Sequence, residues 1–475
     1  MNTLVTSDKQ ATQINTHRQR RILLQRVHLW ATFLATPFLL GALLTGILYV
    51  FTPQIEYALY KQLDKVEAVG TPVELDWQVQ AAVDAAPSGW RLFSVLPGYN
   101  ADDSTRIVFV PLRTASAPRA PQAGTHDGHA EHQPAEPAFL RPSFGVPKNG
   151  LVAYVDPYSN QVLGFMPEAE RFNVWARRLH STYLTEGWRW AIEFAASWTI
   201  VMLLTGIFLW WPGSSSDFTA LHARKGREKW RFMHAWCGII FSVVSIAILT
   251  TGLTWSRNAG SQVKWLRDAA GQQSPRIPAS FKSTNPQSPA DNGTHVIGVN
   301  FKGSMTWEKA FTAVKANAPS VAVELRAPEK PDGFWRANHI DRGDPTKRFD
   351  MLIDAYSGKP LYYSGWNDQP WFGKATAIGI PFHRGEFGIW NQVLLAVFGF
   401  GLLFSFTTGW YIFLKRRREG FLGLPKLGAN PLRIISPVGY LSGLACFALM
   451  PLLLASGSIV CMIELLLNRY RSAER

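Results

Sequence analysis

Apolar and polar positions alternate along this chain on two length scales. Five apolar runs, at residues 29–51, 188–211, 232–255, 388–414 and 437–467, each reach the roughly 20 residues that a helix needs to cross a bilayer core. Between them lie two long mixed segments, 52–187 and 256–387, and two short polar ones, 212–231 and 415–436. Inside the long segments the period changes. "LDWQVQAAVDAAPS" (75–88) and "MTWEKAFTAVKANAPS" (305–320) place apolar residues at helical spacing. "VAYVDPYSNQVLGFM" (152–166) and "FDMLIDAYSGKPLYY" (349–363) alternate up to an Asp, turn through Ser-Asn or Ser-Gly, and leave as a second alternating stretch. That pattern predicts a β-hairpin in each.

Charge orients the runs. Residues 1–28 hold five Lys/Arg, 212–231 hold five and 415–435 hold six. Short basic segments stay in the cytoplasm. The basic tail 1–28 is therefore inside, and 52–187 and 256–387 are exported, to the periplasm of a Gram-negative cell. The protein is expected in a bacterial inner membrane, with lipid and not nucleic acid as the partner of its basic flanks. The first run is too long, and too far from a small-residue cleavage site, for a removable signal peptide. The fifth run breaks the charge rule, because it would carry "NRYRSAER" outside. Pro451 can kink that run or turn it back. Cys237, Cys446 and Cys461 all lie in apolar runs, so no disulfide framework is implied.

The chain repeats itself. "RVHLWATFL" (26–34) and "RFMHAWCGI" (231–239) each put a histidine near the start of an apolar run. Thr45-Gly46 follows His28, and Thr251-Gly252 follows His234, at the same interval. "RLHSTYLTEGWRW" (178–190) and "PFHRGEFGIW" (381–390) precede the second and fourth runs. Thr205-Gly206 follows His180, and Thr408-Gly409 follows His383, again at one shared interval. The steps from His28 to His180 and from His234 to His383 are nearly equal. One unit is span, exported α+β domain, span, and it occurs twice. Each copy has an even number of spans, so the repeats are parallel, about an axis along the membrane normal. The fold class is an α-helical membrane bundle of four core spans, with the fifth run added, carrying two exported α+β domains.

The hairpins "YVDPYSNQVLG" and "LIDAYSGKPLY" resemble the PepSY domain, and the spans with paired histidine and Thr-Gly resemble the PepSY-associated transmembrane helix family. The likeness covers most of residues 20–415. That family includes iron-regulated inner-membrane proteins and siderophore-iron reductases carrying haem b. The resemblance implies PepSY-like exported domains, a haem b cofactor, and ferric iron held by a periplasmic siderophore as the electron acceptor.

About 30 Å of hydrocarbon separates the two faces, so His28 groups with His234 and His180 with His383. Two neutral imidazoles at one depth suit a flat iron macrocycle with two axial ligands, which predicts two haems. Arg26 and Arg231 on one side, and Arg178, Arg189 and Arg384 on the other, are candidate propionate partners. Gly46, Gly252, Gly206 and Gly409 of the Thr-Gly pairs would let a ring approach the backbone closely. No G-x-G-x-x-G follows a strand, so the electron donor is another protein, a quinol or a soluble reductant. Trp366, Trp371, Phe372 and Arg384 are candidate contacts for the chelate; an interfacial aromatic belt explains the same residues.

His126, His129 and His132 lie in a Pro/Ala-rich stretch, 115–148, that reads as an insertion and a weak metal site. Glu193 and Glu464 fall within apolar runs, where capping or snorkelling explains them better than proton transfer. Two other functions fit parts of the pattern: a permease for siderophores or small nutrients, and a membrane-anchored PepSY binding or regulatory module. The spans lack the midplane Gly/Pro breaks that a permease favours, and a plain anchor has no use for matched histidines.

Overall fold

A computed structural model describes residues 2–112, 139–140, 145–211, 224–283, 304–341, 343–416, 423–427 and 434–473. The chain divides into two compact units. One comprises residues 1–51, 176–272 and 378–475, the other residues 52–175 and 273–377.

The first unit is helical. Four helices are long and apolar enough to span a membrane, over Thr16–Val50, Glu186–Trp210, Gly226–Leu253 and Ile389–Leu414. The first lies within α1 (Asn2–Val50), which runs without a break through the basic tail. The tail's Arg and Gln residues are good helix formers, so His28 sits well inside a helix and not at its start. The other three spans contain α5 (Arg189–Trp210), α6 (Gly226–Leu253) and α10 (Ile389–Leu414). α5 and α10 each pack against both α1 and α6. Two shorter helices precede spans: α4 (Phe172–Thr182) ends before the second, and α9 (Trp371–Arg384) before the fourth. α7 (Ala259–Ala269) follows α6. Hydropathy assigns 176–187, 256–272 and 378–387 to the exported segments; in the structure they belong to the helical unit.

The run 437–467 is not one span. It forms α11 (Pro437–Leu449) and α12 (Pro451–Ala473), interrupted at Met450, whose φ is −126° and ψ 83°. Proline lacks the N–H that would continue the first helix, and its ring clashes with the carbonyl four residues back. Both ends of this hairpin return to the same part of α1. Arg20 Nε donates to the Ile434 carbonyl at 2.8 Å, and Glu464 pairs with Arg26 at 2.5 Å. Met450 and Leu453 are buried in one cluster with Ala31, Ala35 and Trp198.

The second unit holds one antiparallel sheet of eight strands in the order β4-β3-β2-β1-β5-β6-β7-β8. β1 (Trp90–Leu96), β2 (Thr105–Pro111), β3 (Leu151–Val155) and β4 (Val162–Pro167) come from the first long mixed segment, 52–187. β5 (Val323–Arg326), β6 (Phe334–His339), β7 (Phe349–Asp354) and β8 (Pro360–Gly365) come from the second. The two segments therefore do not form two separate sheets. β1 pairs with β5 at Val95 and Leu325, which covers an edge that each half alone would leave open.

Both hairpins form where the alternation places them. In β3–β4, Asp156 accepts from the Tyr158 amide at 2.9 Å and Asn160 takes a φ of 58°. In β7–β8, Asp354 accepts from the Tyr356 amide at 2.9 Å and Gly358 takes a φ of 72°. Such a turn needs an Asp that caps it and an Asn or Gly that tolerates the left-handed region. Ile107 and Phe109 on β2, Ala153 and Val155 on β3, and Met351 and Ile353 on β7 fill one core. α2 (Thr52–Asp64) precedes the sheet, while residues of α3 (Leu75–Ala85) and α8 (Trp307–Asn317) complete that core. The latter two helices cap each other. Asp76 accepts from the amides of Trp307 and Glu308 at 3.0 and 3.1 Å, and Glu308 accepts from the amide of Leu75 at 2.9 Å. Each carboxylate meets amides that have no partner within their own helix.

Trp335 is fully buried, with its ring 4.8 Å from that of Trp307, and its indole N–H is unpartnered among the described residues. Trp335→Ala should therefore destabilise the sheet unit by about 3–5 kcal/mol, as large-to-small core changes do. Trp335→Phe keeps an aromatic ring and removes the unmet donor, so it should cost much less. Chemical denaturation of the detergent-solubilised protein, followed by circular dichroism, separates the two.

Candidate functional site: two histidine pairs in the helical unit

The four histidines meet in two pairs. The His28 and His234 rings lie 6.5 Å apart, centre to centre, at an interplanar angle of 81°. The His180 and His383 rings lie 6.4 Å apart at 41°. His28 of one pair and Gly46 beside the other both lie on α1, separated by about 27 Å of helix. The pairs thus occupy opposite ends of the bundle.

All four imidazoles are held in one way. His28 Nδ1 lies 3.0 Å from the Met202 carbonyl oxygen, and His234 Nδ1 lies 2.9 Å from that of Ser405. His383 Nδ1 lies 2.9 Å from the Ile248 carbonyl oxygen, and His180 bonds the carbonyl of Ala42. Each of these carbonyls belongs to the turn just before the threonine of a Thr-Gly pair. The threonine hydroxyl joins at three of the four sites: Thr205 is 3.1 Å from His28 Nδ1, Thr45 is 3.0 Å from His180 Nδ1 and Thr408 is 3.3 Å from His234 Nδ1. A carbonyl only accepts, so Nδ1 carries the proton. Nε2 is left with its lone pair. This is the tautomer of a metal-binding imidazole whose other nitrogen is anchored.

The glycines make room for the rings. A Cβ on Gly252 would sit 2.8 Å from His383 Cε1, one on Gly409 3.1 Å from His234 Cε1, and one on Gly46 3.2 Å from His180 Cε1. At Gly206 the corresponding distance to His28 is an ordinary 3.5 Å. Thr-Gly is therefore a seat: the glycine takes the ring edge, and the turn before it supplies the acceptor. Among the described residues, no group of three or more His, Cys, Asp or Glu is placed to hold a metal ion.

The arginines divide. Arg26 is buried; it pairs with Glu464 and also donates to the carbonyl of Pro425. It is not a free cation for a propionate. Arg384 pairs with Glu386 at 2.8 Å and donates to the Tyr49 hydroxyl at 3.0 Å. Arg231, Arg178 and Arg189 are exposed, and Arg189 reaches the Trp255 carbonyl at 3.4 Å. Glu193 is buried and does not turn to Arg189. It accepts from the amides of Asn258 and Ala259 at 3.0 and 2.8 Å, capping α7.

Trp366, Trp371 and Phe372 belong to the sheet unit, whereas Arg384 belongs to the helical one. The Trp371 and Phe372 rings are 5.4 Å apart, Trp371 is 65% exposed, and Lys374 lies 5.6 Å from the Trp366 ring. His126, His129 and His132 lie outside the described residues. The sheet unit also contains a cavity of about 220 Å³, lined by Asp64, Tyr99, Ser104, Arg106, Arg171 and Ile340 among others. Arg171 clasps Asp64 through both terminal nitrogens at 2.7 and 3.0 Å. Nearby, burial pushes the Tyr154 hydroxyl up to about 12, against the opposing effect of the Arg171 cation. Sequence reading missed this cavity, because its residues come from separated stretches with no shared motif.

Among curated proteins, none matches the chain. The family described as the PepSY-associated TM region matches residues 25–416, a stretch that holds all four histidines and all four Thr-Gly pairs. With four membrane-length apolar helices and this match, the chain is a multi-pass membrane protein and belongs to the PepSY-associated TM region family.

Proposed function

We propose that this protein is a haem b-binding oxidoreductase of the bacterial inner membrane, passing single electrons from the cytoplasmic side to a ferric siderophore in the periplasm. The observation that carries this reading is the pair geometry. Two imidazoles bound through Nε2 to one ion, each at about 2 Å, put their ring centres roughly 6 Å apart. The two pairs stand at 6.5 and 6.4 Å. Two imidazoles are too few ligands for a bare ion, but His28 with His234, and His180 with His383, would each suit the iron of a flat macrocycle.

Haem b held between each pair would supply a one-electron carrier near each end of the bundle. The protein's own groups do the rest. The carbonyls of Met202, Ser405 and Ile248 keep a proton on Nδ1 of His28, His234 and His383, and Thr45 meets Nδ1 of His180, which holds the rings oriented. The glycines hold the ring edges close to the helices. Arg231, near one pair, and Arg178 and Arg189, near the other, are exposed cations available to propionates. The basic segments put the N-terminus, and hence the His28–His234 pair, on the cytoplasmic side. The donor is a quinol, a soluble reductant or another protein. Reduction loosens a siderophore's hold, because its oxygens prefer ferric iron, and no protein acid, base or nucleophile is needed for that step. The parallel tandem repeat is supported by the similar way in which the four histidines are seated.

The test is an absorption spectrum of the purified protein, oxidised and dithionite-reduced, with a pyridine haemochrome count. Sharp reduced bands of bis-histidine haem b, with about two haems per chain, are expected. His28→Ala and His383→Ala should each remove about one of them. A colourless protein from haem-replete cells would sink the reading and favour a permease or an anchored binding module.

The glycine seats give a graded prediction. Alanine is favoured over glycine in a helix interior by about 1 kcal/mol, so an effect of the opposite sign reports the ring contact. Gly252→Ala forces a methyl to 2.8 Å from His383 and should cost most of one haem; Gly206→Ala, at 3.5 Å, should keep both. The haem-to-protein ratio of the two variants checks this.

A further inference from the structure

The family match ends at residue 416, and the chain then continues into α11 and α12. Glu464 is the one acidic residue of α12. It lies within an apolar run, where a carboxylate is costly unless it is used. Its Oε2 is 2.5 Å from Arg26 Nη2, and its Oε1 accepts from Trp30 Nε1 at 2.6 Å. Arg26 and Trp30 are one helical turn apart and share a face of α1. His28, midway between them in sequence, is on the opposite face, where it meets Met202, Thr205 and the ring of His234. Trp198 Nε1 donates to Ser456 Oγ at 3.0 Å, tying α12 to α5 as well, the helix that holds the His28 proton.

We infer that Glu464 is a positioning residue: by gripping Arg26 and Trp30 it fixes the rotation of α1 about its axis, and so sets how His28 faces His234. This rests on the haem reading above. The groups that Glu464 grips stand on α1 behind the first pair. Beside His383 of the second pair, Arg384 pairs instead with Glu386, from α9 and the turn after it, inside the family match. Glu464 therefore acts on the first pair, and it adds a fixed charge on the far side of α1 from the imidazoles.

The experiment is a redox titration of the haem-loaded full-length protein, followed by its absorption bands and by the low-spin electron paramagnetic resonance of the oxidised form. Glu464→Gln keeps the shape and removes the negative charge, leaving Arg26 unopposed. It should raise one midpoint potential and alter one of the two resonance signals, with the other haem unchanged. Arg26→Gln leaves Glu464 unopposed and should move the same potential down. The double variant Arg26→Gln, Glu464→Gln should return it towards the parent value, which also guards against a folding defect in either single variant. A two-haem protein whose potentials and signals stay put in all three variants, or shift for both haems alike, overturns the inference while leaving the haem reading intact. A colourless parent protein overturns both.

Discussion

The helical unit is organised around where four imidazole protons go. An imidazole among apolar helices needs an acceptor for one nitrogen, and a helix normally spends its carbonyls on its own ladder. Here the Nδ1 of His28, His234 and His383 each shares a carbonyl one turn before a Thr-Gly, using the second lone pair of an oxygen that already serves the helix. Such a bond requires the ring to lie against the helix backbone, and at three of the four seats the adjacent glycine is what permits it. The acceptor, the hydroxyl and the missing Cβ are one device. It fixes the tautomer, and the tautomer fixes which nitrogen is free.

That device also explains the spacings. A histidine within α1 is seated by the end of α5, and a histidine before α5 is seated by the end of α1. The same exchange runs between α6 and α10, with His383 supplied from the end of α9. Antiparallel neighbours of membrane length put the start of one helix beside the end of the next. The histidine-to-threonine interval is shorter on α1 and α6, where both groups share one helix. It is longer where it must also cover the turn before α5 or α10, and the difference brings both seats into register. Each pair of imidazoles then takes one ring from each half of the chain, and neither half can complete a pair by itself.

Much of this was legible in the chain. The hairpins could be read because their turns are local: an Asp that caps, and an Asn or Gly that tolerates a positive φ. The grouping of the histidines followed from depth alone. The seam between β1 and β5 was not legible, since a single pairing of Val95 with Leu325, one from each half of the chain, leaves no local trace. The same holds for the exchange of caps between Asp76 and Glu308. α4, α7 and α9 escaped hydropathy because they are amphipathic: α7 and the later residues of α4 and α9 belong to the helical unit without being apolar throughout. Arg26 looked like a free cation because its partner lies 438 residues away in sequence.

The C-terminal hairpin shows how one proline settles a conflict of charge. Read as a single span, 437–467 would deliver the arginines of "NRYRSAER" to the end of the bundle away from the basic start of α1. Broken at Met450 and Pro451, it leaves from beside Arg20 and returns beside Arg26. α12 then ends on the same side as the basic start of α1, where the charge rule wants it. The turn has a second consequence. It brings Glu464 back along α1 to the one level where Arg26 and Trp30 present a guanidinium and an indole N–H together. A straight fifth span would have carried that carboxylate to the other end of the bundle, with no cation of α1 to meet it. Topology and side-chain chemistry thus depend on the same backbone break, and the face of α1 that carries His28 is held from behind by a segment the family match does not include.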